Sequence, residues 1–134
     1  MEYTIKQPEI PMEDGVIDIE QIRPEHNHPE EGKKMDPFDV IRERLSQEEL
    51  LAQLAEEAME LGHAALKLRR AYDGTNPTPV KRREAFENLK EEIADVRLLI
   101  DVLSLSRFWP EYDRIADKKL KRWAQRLEEV DHGE

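Results

Sequence analysis

The sequence predicts an all-α protein, an antiparallel helical bundle completed by oligomerisation. Three observations lead there. Apolar residues recur at three- and four-residue steps through most of the chain after Pro37, the period of a buried helix face. Dense turn signals, DGTNPTP at Asp73–Pro79 and RFWP at Arg107–Pro110, cut that stretch into helices. Hydrophobic residues make up 38% and charged residues 39% of the 134-residue chain. The core of a lone protomer is then thin, and its long helices call for burial against a second chain.

In chain order, residues 1–34 read as an extended or partly ordered N-terminal arm. They carry Pro8, Pro11, Pro24 and Pro29 among scattered acids, a composition that buries little. VIDI, Val16–Ile19, suits a brief strand, and His26 and His28 lack matching metal ligands nearby. Residues 35–134 form the helical domain. A short helix is expected over Pro37–Leu45. Ser46 then opens SQEE, a capping box, and the helix it starts runs to about Tyr72. Asp73–Pro79 is a loop, with Thr78 as an N-cap and Pro79 at the first helical position of the next helix. That helix extends to about Ser106, RFWP breaks it, and a last helix covers Glu111–Val130.

The net charge of −10 argues against a nucleic-acid or anionic-membrane surface, both of which need a basic patch. An anionic substrate would need a cation as a bridge. Cysteine is absent, so there is no disulfide and no thiolate zinc site. With no targeting segment or long apolar run, the expected location is the cytoplasm.

Chemistry-bearing residues concentrate in two acidic clusters. LAEEAMEL, Leu54–Leu61, gathers Glu56, Glu57 and Glu60. The like-charged i,i+4 pair Glu56–Glu60 weakens a helix by roughly 0.2–0.5 kcal/mol, and no base nearby relieves it. The apolar stripe here is Leu51, Leu54, Ala58, Leu61, Ala65, Leu68 and Tyr72, which sets Glu57 about 70° from its centre. The second cluster, EEIADV at Glu91–Val96, holds Glu92 and Asp95 beside Ala85, Phe86, Leu89, Ile93, Val96, Ile100 and Leu103. Each cluster offers an i,i+3 carboxylate pair. One loop between the helices makes them antiparallel neighbours, so Glu57, Glu60, Glu92 and Asp95 can face one another. Four carboxylates make an all-oxygen site suited to Mg²⁺ or Mn²⁺.

Glu56-Glu57-Ala58-Met59-Glu60 followed by Glu92-Ile93-Ala94-Asp95 resembles the EExxE…ExxD pattern of the MazG-like all-α nucleoside triphosphate pyrophosphohydrolases. The likeness covers Ser46 to about Leu105 and includes LKLRRAYDGTNPTP, Leu66–Pro79. It implies Mg²⁺-dependent hydrolysis of an NTP or dNTP to the monophosphate and pyrophosphate. It also implies Glu57, Glu60, Glu92 and Asp95 as metal ligands, Glu56 as a supporting acid, and a dimer or tetramer of helical bundles. Independently, a carboxylate beside a metal-activated water, Glu57 or Glu56, suits a general base. On the last helix Lys118, Lys121 and Arg122 are candidates for phosphate binding. KRRE, Lys81–Glu84, opens a helix, an odd place for bases that suggests an anion nearby. Arg97 and Asp101, i,i+4, read as a structural pair.

Two rivals compete. Glu60-Leu-Gly-His63 has the ExxH spacing of di-iron bundles, but Glu92 is followed by Asp95 and not by a histidine. A non-catalytic helical dimerisation module fits amphipathic helices with an acidic surface.

Overall fold

The computed structural model describes Gly32, residues 34–75, residues 80–131 and Gly133. Among them it has four α-helices and no strand: α1, Pro37–Arg44; α2, Gln47–Asp73; α3, Arg82–Val102; and α4, Trp109–Asp131, with a 3₁₀ turn at Leu105–Phe108 before α4. The expected arm, with Val16–Ile19, His26 and His28, lies outside the described residues except for Gly32 and Lys34. Thr78 and Pro79 lie outside them too, but the helix expected to open with them starts later, at Arg82 with Lys81 in the N-cap position.

Helices α1 and α2 start where their local chemistry favours a start. The Asp36 carboxylate accepts from Phe38 N–H at 2.8 Å ahead of Pro37. Ser46 and Glu49 complete the capping box of α2 reciprocally, at 3.2 and 2.8 Å. Gly74, with φ of 74°, ends α2 in the left-handed region that glycine enters without a Cβ penalty. Asp73 belongs to the helix and not to the loop. Its carboxylate accepts from Thr75 N–H and the Thr75 hydroxyl, which holds its pKa below the ordinary aspartate value.

Among the bases opening α3, Arg82 has its partners within the chain. Arg82 donates from Nε and a terminal nitrogen to the carbonyls of Ala71 and Tyr72, and its guanidinium sits 5.0 Å from the centre of the Tyr72 ring. It thus serves the carbonyl-rich end of α2, where positive charge is favoured.

Helices α2 and α3 pack as the main hairpin, and α1 and the 3₁₀ turn close one end. Leu50, Leu99, Val102 and Leu103 are buried there, with Phe38, Ile41, Leu54 and Leu105 packed around them. Ala64 and Ala85 are buried towards the other end. The contact face of α2 is rotated from the expected stripe. It carries Leu50, Leu54, Glu57, Leu61, Ala64 and Leu68, while Leu51, Ala58, Ala65 and Tyr72 are exposed. On α3 the face is Ala85, Leu89, Glu92, Val96, Leu99 and Leu103, with Phe86 and Ile93 exposed. A two-helix seam needs only a narrow a/d row, and the apolar pattern here is wider than that row.

Helix α3 also ends earlier than RFWP. Ser104 adopts φ of 58° and turns the chain at Leu103–Ser104, while Trp109 and Pro110 begin α4, where proline is tolerated. Arg42 pins α1 to this corner, donating to the carbonyls of Val102 at 2.9 Å and Asp101 at 3.2 Å and to Ser104 Oγ at 3.3 Å. Hydrogen bonds from a charged donor to helix-end carbonyls are among the stronger ones. Arg42→Ala is therefore expected to lower unfolding stability by about 1–3 kcal/mol, read from urea denaturation. An unchanged midpoint would show that α1 is held by its apolar contacts alone.

Candidate metal centre

The seam between α2 and α3 repeats every seven residues, which returns nearly to the same face of a helix. Leu50, Glu57 and Ala64 occupy one such row on α2, and Ala85, Glu92 and Leu99 the matching row on α3. In each row the two outer residues are buried and the middle one is a carboxylate. The acids thus stand between the leucine core at one end and the close alanine contact at the other, about 10 Å from each along the helix axis. An apolar residue is what packing asks for at both positions, and neither helix has one.

Carboxylate oxygens of Glu57, Glu92 and Asp95 lie within 4.8 Å of one another. Glu57 and Glu92 are partly buried and Asp95 is exposed. Oε2 of Glu92 is cut off from solvent and has no hydrogen-bond partner. A buried acceptor left unmatched is unfavourable, and it points to something bound. Desolvation, followed by the charges of Glu60, Asp95, Glu92 and Glu56, raises the pKa of Glu57 above the ordinary glutamate value. Desolvation, followed by Glu60, Asp95 and Glu91, does the same for Glu92. A cation held between oxygens of this kind relieves both causes at once, and hard divalent ions take such all-oxygen sites.

Of the expected ligands, Glu57, Glu92 and Asp95 form the triangle. Glu60 is exposed and stands outside it, close enough for its charge to act on Glu57 and Glu92. Glu56 is exposed beside them and has the least influence of the acids acting on Glu57. The reading that Glu57 lies at the edge of its stripe is corrected: it is on the contact face itself. Spacing alone could not have located it, because Leu51, Ala58 and Ala65 repeat every seven residues just as Leu50, Glu57 and Ala64 do. His63 is exposed and is not part of the triangle.

Lys118, Lys121 and Arg122 are exposed on α4, which among the described residues packs only on the 3₁₀ turn. Within one protomer they are not brought to the acids, and Lys121 pairs instead with Asp117 at 2.7 Å. Arg97 and Asp101 form no ion pair among the described residues. No helix described is long and apolar enough to cross a membrane. No protein-family model, curated protein or solved structure matches the chain.

Proposed function

We propose that this chain is a Mg²⁺-dependent nucleoside triphosphate pyrophosphohydrolase of the MazG-like all-α type, working as a homo-oligomer and releasing pyrophosphate from an NTP or dNTP. The observation that carries the reading is the meeting of Glu57 with Glu92 and Asp95 across two helices, around a Glu92 oxygen that has no partner. The order and spacing of the acids, Glu56-Glu57-x-x-Glu60 and then Glu92-x-x-Asp95, supply the family likeness.

Glu57, Glu92 and Asp95 would hold the cation, with the charge of Glu60 beside them. Bound there, Mg²⁺ or Mn²⁺ would bring positive charge to the phosphates and lower the pKa of a water. The chain's own part is positioning and proton transfer. The Glu57 carboxylate, in the triangle beside such a water, is the first candidate to accept its proton. Glu56 lies one residue away on the exposed side and is the second candidate for that proton. A triphosphate carries about four negative charges at pH 7 and is repelled by a chain of net −10 unless cations intervene.

A panel of NTPs and dNTPs with Mg²⁺, read by phosphate release after coupling to inorganic pyrophosphatase, tests the reading. The expected result is pyrophosphate and monophosphate from at least one nucleotide, abolished by a chelator. No turnover of any nucleotide at high enzyme concentration would leave the acids as a feature of a non-catalytic helical module.

A further inference from the structure

The apolar surface left over by the hairpin is organised, and so is that of α4. At about 100° per residue, Ala116, Leu120, Trp123, Leu127 and Val130 fall within one arc of α4. Trp123 is 66% and Val130 72% exposed. On the hairpin, Leu51, Ala58 and Ala65 of α2 and Phe86, Ile93 and Ile100 of α3 turn to one side, the side opposite Glu60 and Asp95. Phe86 is 48% and Ile93 50% exposed. On that side of α2, Leu51, Ala55, Ala58, Gly62 and Ala65 follow one another without a charge. A side chain added at Gly62 would meet nothing within 4 Å. The hairpin's back is thus a shallow apolar groove with room above it for another helix.

We propose that α4 of a second copy of this chain seats its apolar stripe in that back groove, antiparallel to α3, and that the exchange is reciprocal. The chain's own α4 is held away by its corner. Ser104 turns the backbone, the Tyr112 hydroxyl donates to the Leu105 carbonyl at 2.9 Å, and Trp109 meets the Tyr112 ring edge-on at 5.4 Å. Charge selects the direction. Asp113, Asp117 and Glu128 line one flank of the α4 stripe, and Lys119, Arg122 and Arg126 the other. The back groove has Lys90 and Arg97 along its α3 rim and no charge along its α2 rim between Leu51 and Ala65. With α4 antiparallel to α3, the right-handed helix sense puts the acidic flank over Lys90 and Arg97. The reverse direction puts Lys119 and Arg126 there instead. The ion pairs given up, Lys90–Glu87 and Lys121–Asp117, are exposed and of the kind that contributes little. A stable pair removes about 1,200–2,000 Å² from water, and a helix about 35 Å long laid in a groove twice, once in each direction, offers contact on that scale. The proposal rests on the homo-oligomer part of the reading above and not on the hydrolysis, because the back groove faces away from Glu60 and Asp95 and leaves Glu57 and Glu92 in the seam.

Sedimentation of the full chain across concentrations is the first test, with two or more associated chains expected. Trp123→Glu and Ile93→Glu should each weaken association at least about 30-fold, the effect of losing an interface anchor, with helical circular dichroism retained. The absence of cysteine allows a second test that needs no destabilising change. Chains with Ile93→Cys are mixed with chains carrying Leu120→Cys or Leu127→Cys and treated with a short bismaleimide. A link between the two kinds of chain is expected. A monomer at every concentration, or a link between two Leu127→Cys chains without one to Ile93→Cys, would overturn the proposal. So would a link within a single chain carrying both changes.

Discussion

Glu92→Gln is expected to lower Mg²⁺-dependent pyrophosphate release by about 100-fold or more, since even the outer partners of metal ligands cost 10–100-fold when replaced. Glutamine keeps the volume of the side chain and removes its charge, so the helix and the packing of Leu89, Val96 and Leu99 around it are preserved. Glu92 is the sharpest choice because its Oε2 is buried without a partner. Glu57→Gln should fall to a similar level, and the double variant little further, because ligands of one site act as a unit. Circular dichroism should be unchanged throughout. Activity within about threefold of the parent for Glu92→Gln would remove Glu92 from the site, and the proposed chemistry with it.

Metal-free protein is expected to gain thermal stability when the seam carboxylates are neutralised. The Glu57→Gln/Glu92→Gln variant should melt above the parent at neutral pH. The pH dependence has a definite sign. Both glutamates have folded-state pKa values above the ordinary one, so the folded chain binds more protons than the unfolded chain above about pH 4.3. Their contribution to stability is complete below that value and is lost as pH rises through the raised pKa. The parent-minus-variant difference in melting temperature should therefore grow more negative from about pH 4.3 towards neutrality. Asp73, whose pKa is lowered by Thr75, acts in the opposite direction but is common to both proteins and cancels. Mg²⁺ or Mn²⁺ reverses the effect in the parent. Binding at 100 times the dissociation constant adds about 2.7 kcal/mol, and the double variant should gain nothing. A parent that melts at the same temperature with and without either ion, at neutral pH and high ion concentration, would contradict the site.

The capping signals were legible because they are local. Ser46 and Glu49 need only three residues of spacing to find each other, and the structure places them as read. The meeting of the two acidic clusters was legible for the same reason, since one short loop between two periodic segments fixes an antiparallel pair. The contact face was misjudged by part of a turn. Leu51, Ala58, Phe86 and Ile93 are as apolar as the residues in the seam, and composition does not distinguish an apolar residue facing α3 from one facing away. Leu51, Ala58 and Ala65, like Phe86, Ile93 and Ile100, make unbroken seven-residue rows of their own, whereas the seam rows are interrupted at their centres by Glu57 and Glu92, so a search for apolar residues settles on the wrong face. The role of Arg82 was not legible because the carbonyls it answers lie about ten residues earlier in the chain, a contact that only the tertiary structure makes.

By itself the sequence determined the helical class, the cap of α2, the i,i+3 acid pairs and their order along the chain, because each depends on covalent spacing within a few turns. The tertiary structure alone decided that Glu57 and Glu92 interrupt a packed seam, that one Glu92 oxygen is sealed from water, and that α4 leaves the hairpin with its apolar stripe exposed. Those outcomes depend on how far each helix rotates about its axis and on the angle at Ser104, and both are set by packing between residues distant in the chain.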